Sequence, residues 1–344
     1  MASAETHLVT GGSGFVALQL VHELLREGFR VHATVRSLKN PRKVTSLESL
    51  QREFPDRLRL FEADLLHPGS FAKAMAGCSV VHHVASPFMM AEKIKDGRKE
   101  CVEPALEGTR NVLASVSETE TVRRVVLTST IGAIFGDYAD VTDRMGGVLS
   151  EGHFNETSTA THNPYHYSKV LAEKEAWRIA MGETRWDLVV ICPGLVLGPP
   201  LSGGSDSGSL FLIDELLGGK LFFGVPNLGF ATVDVREVAA AHVRAAETPA
   251  ASGRYIVAAG EMARFIDMAR CFRKMGGSMF VPDHVLPDFC VRMLGPLFGL
   301  TQKWIERNLG VRFAVDNSRS IKELGIEYRP LEDTLREHYK AWKA

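Results

Sequence analysis

His7-Leu8-Val9-Thr10-Gly11-Gly12-Ser13-Gly14-Phe15-Val16-Ala17 is the stretch whose reading decides the fold. His7 to Thr10 is a short β-prone run, and Phe15 to Glu27 repeats its apolar residues at helical spacing until Gly28. Between strand and helix the spacing is G-x-x-G-x-x-A, set by Gly11, Gly14 and Ala17. Gly11 permits the sharp turn, Gly14 lets the backbone approach a pyrophosphate, and Ala17 lets the helix pack close to the strand. The opening of the helix, with Ser13, Phe15 and Val16 beside the glycines, offers N–H groups and a partial positive charge to phosphate. A dinucleotide site on a Rossmann-type fold is therefore expected.

Outward from this loop, apolar runs alternate with helix-like stretches. Arg30–Val35, Leu58–Phe61, Val80–Val84, Arg124–Thr128 and Trp186–Ile191 read as further strands. Strands apolar on both faces, separated by helices, predict an α/β fold with a doubly wound parallel sheet. The pattern changes after Cys192-Pro193-Gly194, and Gly198 to Gly208 reads as a loop rich in Gly, Ser and Pro. Arg254–Val257 reads as one more strand, and Pro287 and Pro296 should break the amphipathic stretch Val285–Leu309 into short helices. The expected division is a dinucleotide-binding domain over 1–195 with a return at about 230–260. Residues 196–229 and 261–344 are then mainly a smaller substrate-binding part.

The chain has 344 residues, with 40 basic against 41 acidic side chains and a net charge of -1. That balance supplies no electrostatic footprint for nucleic acid or an anionic membrane surface. Five cysteines without a C-x-x-C pair argue against a disulfide scaffold or a zinc site and fit a reducing compartment. No signal pattern and no long apolar run is read in the sequence, so a cytoplasmic enzyme, a monomer or homodimer, is expected. His82 and His83 are adjacent on a strand, point to opposite faces and should not share a metal ion. No metal is expected. The late apolar group Leu286, Phe289, Met293, Leu297 and Phe298 could face a hydrophobic substrate or an interface, and core burial is the reading taken.

Cofactor choice should be made at the end of the second strand, where an acid favours NAD and an arginine accommodates a 2′-phosphate. Arg36 stands there with Lys43 close behind, which favours NADP(H). Farther on, Tyr165-His166-Tyr167-Ser168-Lys169 contains Y-x-x-x-K at the start of a strongly helical stretch. Four-residue spacing puts Tyr165 and Lys169 on one helix face. An ammonium beside a phenol favours phenolate, which predicts Tyr165 as proton donor and acceptor with Lys169 tuning it. Thr128-Ser129-Thr130 ends an apolar strand, where a hydroxyl would hold a substrate carbonyl.

These pieces, in this order, resemble the extended short-chain dehydrogenase/reductase family. Within it the chain looks like the branch of dihydroflavonol reductases, cinnamoyl-CoA reductases and yeast-type carbonyl reductases. Thr34-Val35-Arg36, Val84-Ala85-Ser86-Pro87, Val102-Glu103-Pro104-Ala105, Gly108-Thr109-Arg110-Asn111-Val112 and Val233-Asp234-Val235-Arg236 carry that narrower likeness. The resemblance implies that Asp64 and Leu65 hold adenine. Val84, Ala85, Ser86 and Pro87 then border the nicotinamide ribose, with Thr128 and Ser129 near the cofactor. Pro193, Gly194 and Val196 shape the nicotinamide pocket, and Lys169 also bonds ribose hydroxyls. Thr130 falls where the family has its catalytic serine, Ser129 being the other claimant. Pro87, Phe88, His166 and Ser209 are the candidate substrate contacts.

The plant cinnamoyl-CoA enzymes carry N-W-Y-C-Y-G-K where this chain has Asn163-Pro164-Tyr165-His166-Tyr167-Ser168-Lys169, so a CoA thioester is not carried over. The expected activity is reduction of a small apolar or aromatic aldehyde or ketone. The alternatives are a nucleotide-sugar epimerase or dehydratase, a hydroxysteroid dehydrogenase, and a non-catalytic NADP(H) sensor or interaction protein.

Overall fold

Alternation within each strand sets the layers. Leu8, Val81, Val125, Leu127 and Val190 join one buried cluster, while their chain neighbours Val80, Val126 and Val189 join another on the opposite face. The strands are β1 (Thr6–Val9), β2 (Arg30–Val35), β3 (Leu58–Glu62), β4 (Val80–His83), β5 (Arg124–Thr128), β6 (Asp187–Pro193) and β7 (Gly253–Val257). They form one seven-stranded parallel sheet in the order β3-β2-β1-β4-β5-β6-β7. The order reverses between β1 and β4, which opens a crevice at the carboxyl ends of those strands. The computed structural model describes residues 5–86, 94–202 and 207–343, without the side chains of 297 and 298.

Helices cover both faces. α1 (Phe15–Arg26) and α2 (Pro41–Glu53) bury Leu18, Leu20, Val21, Leu24, Leu25 and Leu47 against Val9, Val31 and Ala33. Each such leucine contributes about 2 kcal/mol by leaving water. On the other face α3 (Glu103–Glu118) buries Val112, Leu113 and Val116, and α4 (Pro164–Ala180) packs along it. α5 (Val235–Glu247) returns to α1's side, where Ala239 and Val243 meet α1's cluster. Beyond the sheet, Leu195–Leu197 pairs in parallel with Thr232–Asp234. The helices Gly208–Leu217, Phe265–Lys274 and Leu331–Lys343 share a separate core around Ile213, Phe265, Phe272 and Leu335.

The expected break in Val285–Leu309 is observed as Asp288–Leu294, a 3-10 turn at Gly295–Phe298, and Gln302–Asn308. The expected core role of that stretch is overturned for two side chains. Phe289 is 69% exposed and Met293 66%, because their helix of seven residues turns only Val291 fully inward. Among the described residues no helix is long and apolar enough to cross a membrane.

Candidate active site

The glycine turn is built by close approach. Gly11 has φ +66°, a left-handed conformation that favours glycine, and a Cβ there would lie 3.0 Å from the Ala85 Cβ. Gly12, which the spacing argument passed over, abuts β2: a Cβ would lie 2.9 Å from that of Ala33. Thr34 fastens the loop, its hydroxyl accepting from the Gly11 amide at 3.1 Å and its carbonyl from the Gly12 amide at 2.8 Å. Gly14 caps α1 without a side-chain bond, and the first turn carries no acid. The end of α1 therefore presents uncompensated N–H dipoles at the crevice, and the bare backbone suits a dinucleotide pyrophosphate. Ser13 and Val16 stay half-buried at this edge, whereas Phe15 is buried beneath the helix with Val196 and Val233.

The rim follows from the parallel strands. Arg36, one residue past β2, is exposed, and Lys43 lies in the first turn of α2. Asp64 follows β3 and accepts the Leu66 amide at 2.9 Å. Leu65 covers Gly108 of α3, where a Cβ would lie 3.1 Å from its own, and its carbonyl accepts from Asn111 Nδ2 at 2.8 Å. After β4, the Val84 and Ala85 amides donate to Thr10 Oγ1 at 3.0 and 2.9 Å. Leu65, Ala85, Ser86, Thr128, Ser129 and Lys169 line one cavity together with His83 and Glu173. Pro87 and Phe88 lie outside the described residues.

At the floor, α4 begins after Asn163, which holds φ +54° with its Nδ2 donating to the Gly136 carbonyl and Asp137 Oδ1. Pro164 then fits the first helical position, and Tyr165 and Lys169 follow one turn apart. Lys169 is 7% exposed and its Nζ donates to the Thr128 carbonyl at 2.9 Å. Burial lowers its pKa to about 8, while the Glu173 carboxylate opposes that shift. Burial pushes the Tyr165 phenol up to about 12. The expectation of a phenol lowered by its lysine is therefore corrected for this structure, in which loss of water dominates.

The hydroxyls of the strand end have different fates. Ser129 is 4% exposed and its Oγ donates to Glu173 Oε2 at 2.5 Å. That carboxylate is paired with Arg254 Nε at 2.6 Å. The hydroxyl is thus committed inward, which corrects its candidacy for the carbonyl. Thr130 stays partly exposed, and its Oγ1 accepts the Gly132 amide at 3.2 Å, leaving its own proton to donate. His166 turns from the cavity onto the Ile131–Ala133 turn. Its Nδ1 lies 3.2 Å from the Gly136 carbonyl, and a Cβ on Gly132 would press its ring at 2.4 Å. Its candidacy as a substrate contact loses support, since position 166 lies about 100° around the helix from Tyr165.

Pro193 ends β6, and Gly194 is squeezed against the residue that precedes Thr232–Asp234: a Cβ would lie 2.1 Å from the Ala231 carbonyl oxygen. Val196 sits in the strand that follows. Ser209 lies half-buried in the first turn of Gly208–Leu217, while 203–206 of the expected loop lie outside the described residues.

Reading the strands for apolar residues missed a buried polar file. His7 Nδ1 meets His82 Nε2 at 3.0 Å, His82 Nδ1 meets His242 Nδ1 at 3.4 Å, and His242 Nε2 meets Thr128 Oγ1 at 2.9 Å. His83 points the other way, its Nδ1 3.1 Å from Thr10 Oγ1. The signal available was histidine at strand positions that alternation assigns to the interior.

The model of the NAD dependent epimerase/dehydratase family matches residues 7–259. The chain belongs to this family. It is 34% identical over 337 residues to cinnamoyl-CoA reductase CAD2 of Medicago truncatula, covering 97% of this chain and 94% of that protein. It is 36% identical over 282 residues to a Vitis vinifera anthocyanidin reductase, covering 76% and 80%. Among solved structures it resembles Gre2 of Candida albicans in complex with NADPH, with TM-score 0.76, 26% identity and 98% of each chain covered. These relatives place this family member in the dihydroflavonol reductase and cinnamoyl-CoA reductase branch.

Proposed function

We propose that this chain uses NADPH to reduce the carbonyl of a small apolar or aromatic aldehyde or ketone. The observation that carries the reading is the placement of Tyr165 and Lys169 one helical turn apart, with Lys169 lining a cavity beside Thr128 and Ser129 and the partly exposed Thr130 next along that strand end. Similarity to reductases and to an NADPH complex supports it. Arg36 beyond β2 suits a 2′-phosphate.

The Gly11–Gly14 turn and the α1 N-terminus would hold the pyrophosphate, Asp64 and Leu65 the adenine, and Lys169 the ribose hydroxyls beside the nicotinamide. A bound NADPH supplies the hydride that reaches the carbonyl carbon. Thr130 donates a hydrogen bond to the carbonyl oxygen and orients it. Tyr165, which burial keeps protonated throughout the neutral range, gives its proton to that oxygen as the C–H bond forms. The carbonyl carbon gains hydride, the oxygen gains a proton, and an alcohol results.

A panel of aldehydes and ketones, followed by loss of NADPH absorbance, tests the reading. At least one apolar or aromatic carbonyl should be reduced, and Tyr165→Phe should lower kcat by about 100-fold or more. Turnover of a UDP- or dTDP-sugar without net cofactor consumption would overturn it. So would NADPH binding with no carbonyl reduced and no effect of Tyr165→Phe.

A further inference from the structure

Beneath the catalytic pair, α4 carries a third polar side chain on the same stripe. Tyr165, Lys169 and Glu173 are spaced by four residues, so they stand one above another along the helix. Glu173 is 1% exposed and lines the same cavity as Lys169. Its Oε2 accepts from Ser129 at 2.5 Å, its Oε1 pairs with Arg254 Nε at 2.6 Å, and Trp177 Nε1 donates to it at 3.3 Å. Arg254, on β7, is buried as well, and its Nη1 also donates to the carbonyls of Glu151 and His153. Such a buried pair costs several kcal/mol in lost hydration, and packing alone is served as well by apolar side chains.

The segment that Glu173 grips gives the pair another role. Ser129 lies between two groups of the proposed reaction: Thr128, whose carbonyl accepts from Lys169, and Thr130, whose hydroxyl is free to donate. The Ser129 amide is fixed to the Ile191 carbonyl at 2.7 Å, so its hydroxyl is the second anchor of a short, fully specified strand end. We propose that Glu173, paired with Arg254, is a positioning residue that clamps Ser129 and so sets both the Thr128 carbonyl for Lys169 and the Thr130 hydroxyl for the substrate carbonyl. The proposal rests on the reductase reading for its kinetic consequence, but the clamp on Lys169 has a readout of its own.

The groups facing Lys169 separate the electrostatics. His83 reaches it from β4 and is kept neutral, its pKa lowered to about 3 by burial and then by the Lys169 charge. Cys192 reaches it from β6, and burial first, then the Glu173 charge, pushes its thiol up, which keeps it neutral. Glu173 on the same helix is then the negative charge among these described groups, with Arg254 of β7 behind it.

The test is competitive acetylation of Lys169, read by mass spectrometry across the pH range in the protein without cofactor or substrate. In folded Glu173→Gln the half-labelling pH should fall by about one unit, or roughly tenfold faster labelling at pH 7. Ser129→Ala, which keeps the ion pair and needs no charge buried alone, decides the matter if Glu173→Gln does not fold. It should label Lys169 severalfold faster and lower kcat for carbonyl reduction about tenfold with KM for NADPH unchanged. Unchanged labelling in folded Glu173→Gln, or wild-type labelling and kcat in Ser129→Ala, would overturn the proposal. If no carbonyl is reduced by the unmodified protein, the reductase reading fails and the labelling still reports on the clamp.

Discussion

Lowering the pH from 7 to 5 should strip this protein of much of its stability, through histidines it buries neutral. Burial lowers His83 and His242 to about 3, and His338 to about 4. The unfolded chain takes up a proton on each near pH 6.5, while the folded chain does not until far lower. The unfolded state therefore binds more protons throughout this interval, and stability falls as pH falls through 6.5. At about 1.36 kcal/mol per pH unit, each histidine loses roughly 2 kcal/mol by pH 5. His83 and His242 together account for about 4 kcal/mol, and His338 raises the loss to about 6 kcal/mol, against a usual total of about 5–15 kcal/mol. His82, lowered well below its ordinary value by burial and by His7 and His242, acts in the same direction. Glu151, Asp214 and Glu237 are raised by burial and act in the opposite direction. Urea unfolding at pH 7, 6 and 5 measures the loss, with a midpoint shift of more than about 1 M at an m-value near 3 kcal/mol/M. Equal stability at pH 7 and 5, or imidazole resonances of His83 and His242 titrating near 6.5 in the folded protein, would refute the reasoning.

Three further outcomes follow from the site. Arg36→Ala should raise KM for NADPH about 10- to 100-fold and leave KM for NADH nearly unchanged, as expected for losing a charge-assisted bond; equal effects on both would remove the 2′-phosphate assignment. Lys169 carries its charge below about 8, so kcat/KM for reduction should hold level to pH 7 and fall about tenfold by pH 9, with a flat profile ruling the lysine out. Gly194→Ala should destabilise by about 3 kcal/mol in urea unfolding, because its Cβ would meet the Ala231 carbonyl at 2.1 Å and the paired segments that follow, Leu195–Leu197 and Thr232–Asp234, cannot separate cheaply.

How much was legible in the sequence depends on the range of the interaction. Strand and helix positions follow local patterns: β2 and β5 span the expected residues, and the first helix begins at Phe15 as expected. Gly11 was legible because a turn from strand into helix demands a left-handed residue at one place. Gly12 was not, since its necessity comes from Ala33 on the neighbouring strand. The exposure of Phe289 and Met293 was misread because an amphipathic pattern states which residues are apolar, and their short helix turns only Val291 fully inward. The phenol's direction was misread for a related reason: spacing names the charged neighbour and is silent on how much water burial removes.

The sequence by itself determined that a glycine turn feeds a helix in a parallel α/β series, and that a tyrosine and a lysine share one helix face. Those properties rest on contacts between residues a few positions apart. Which strand-end hydroxyl is left for a substrate was decided only by the tertiary structure. Ser129 and Thr130 are adjacent and chemically alike, and they part because Glu173, 44 residues on, takes the first while Arg254, 81 residues farther, balances Glu173. Such a choice needs the sheet assembled and α4 laid across it, because a buried carboxylate binds whichever donors the fold brings within reach.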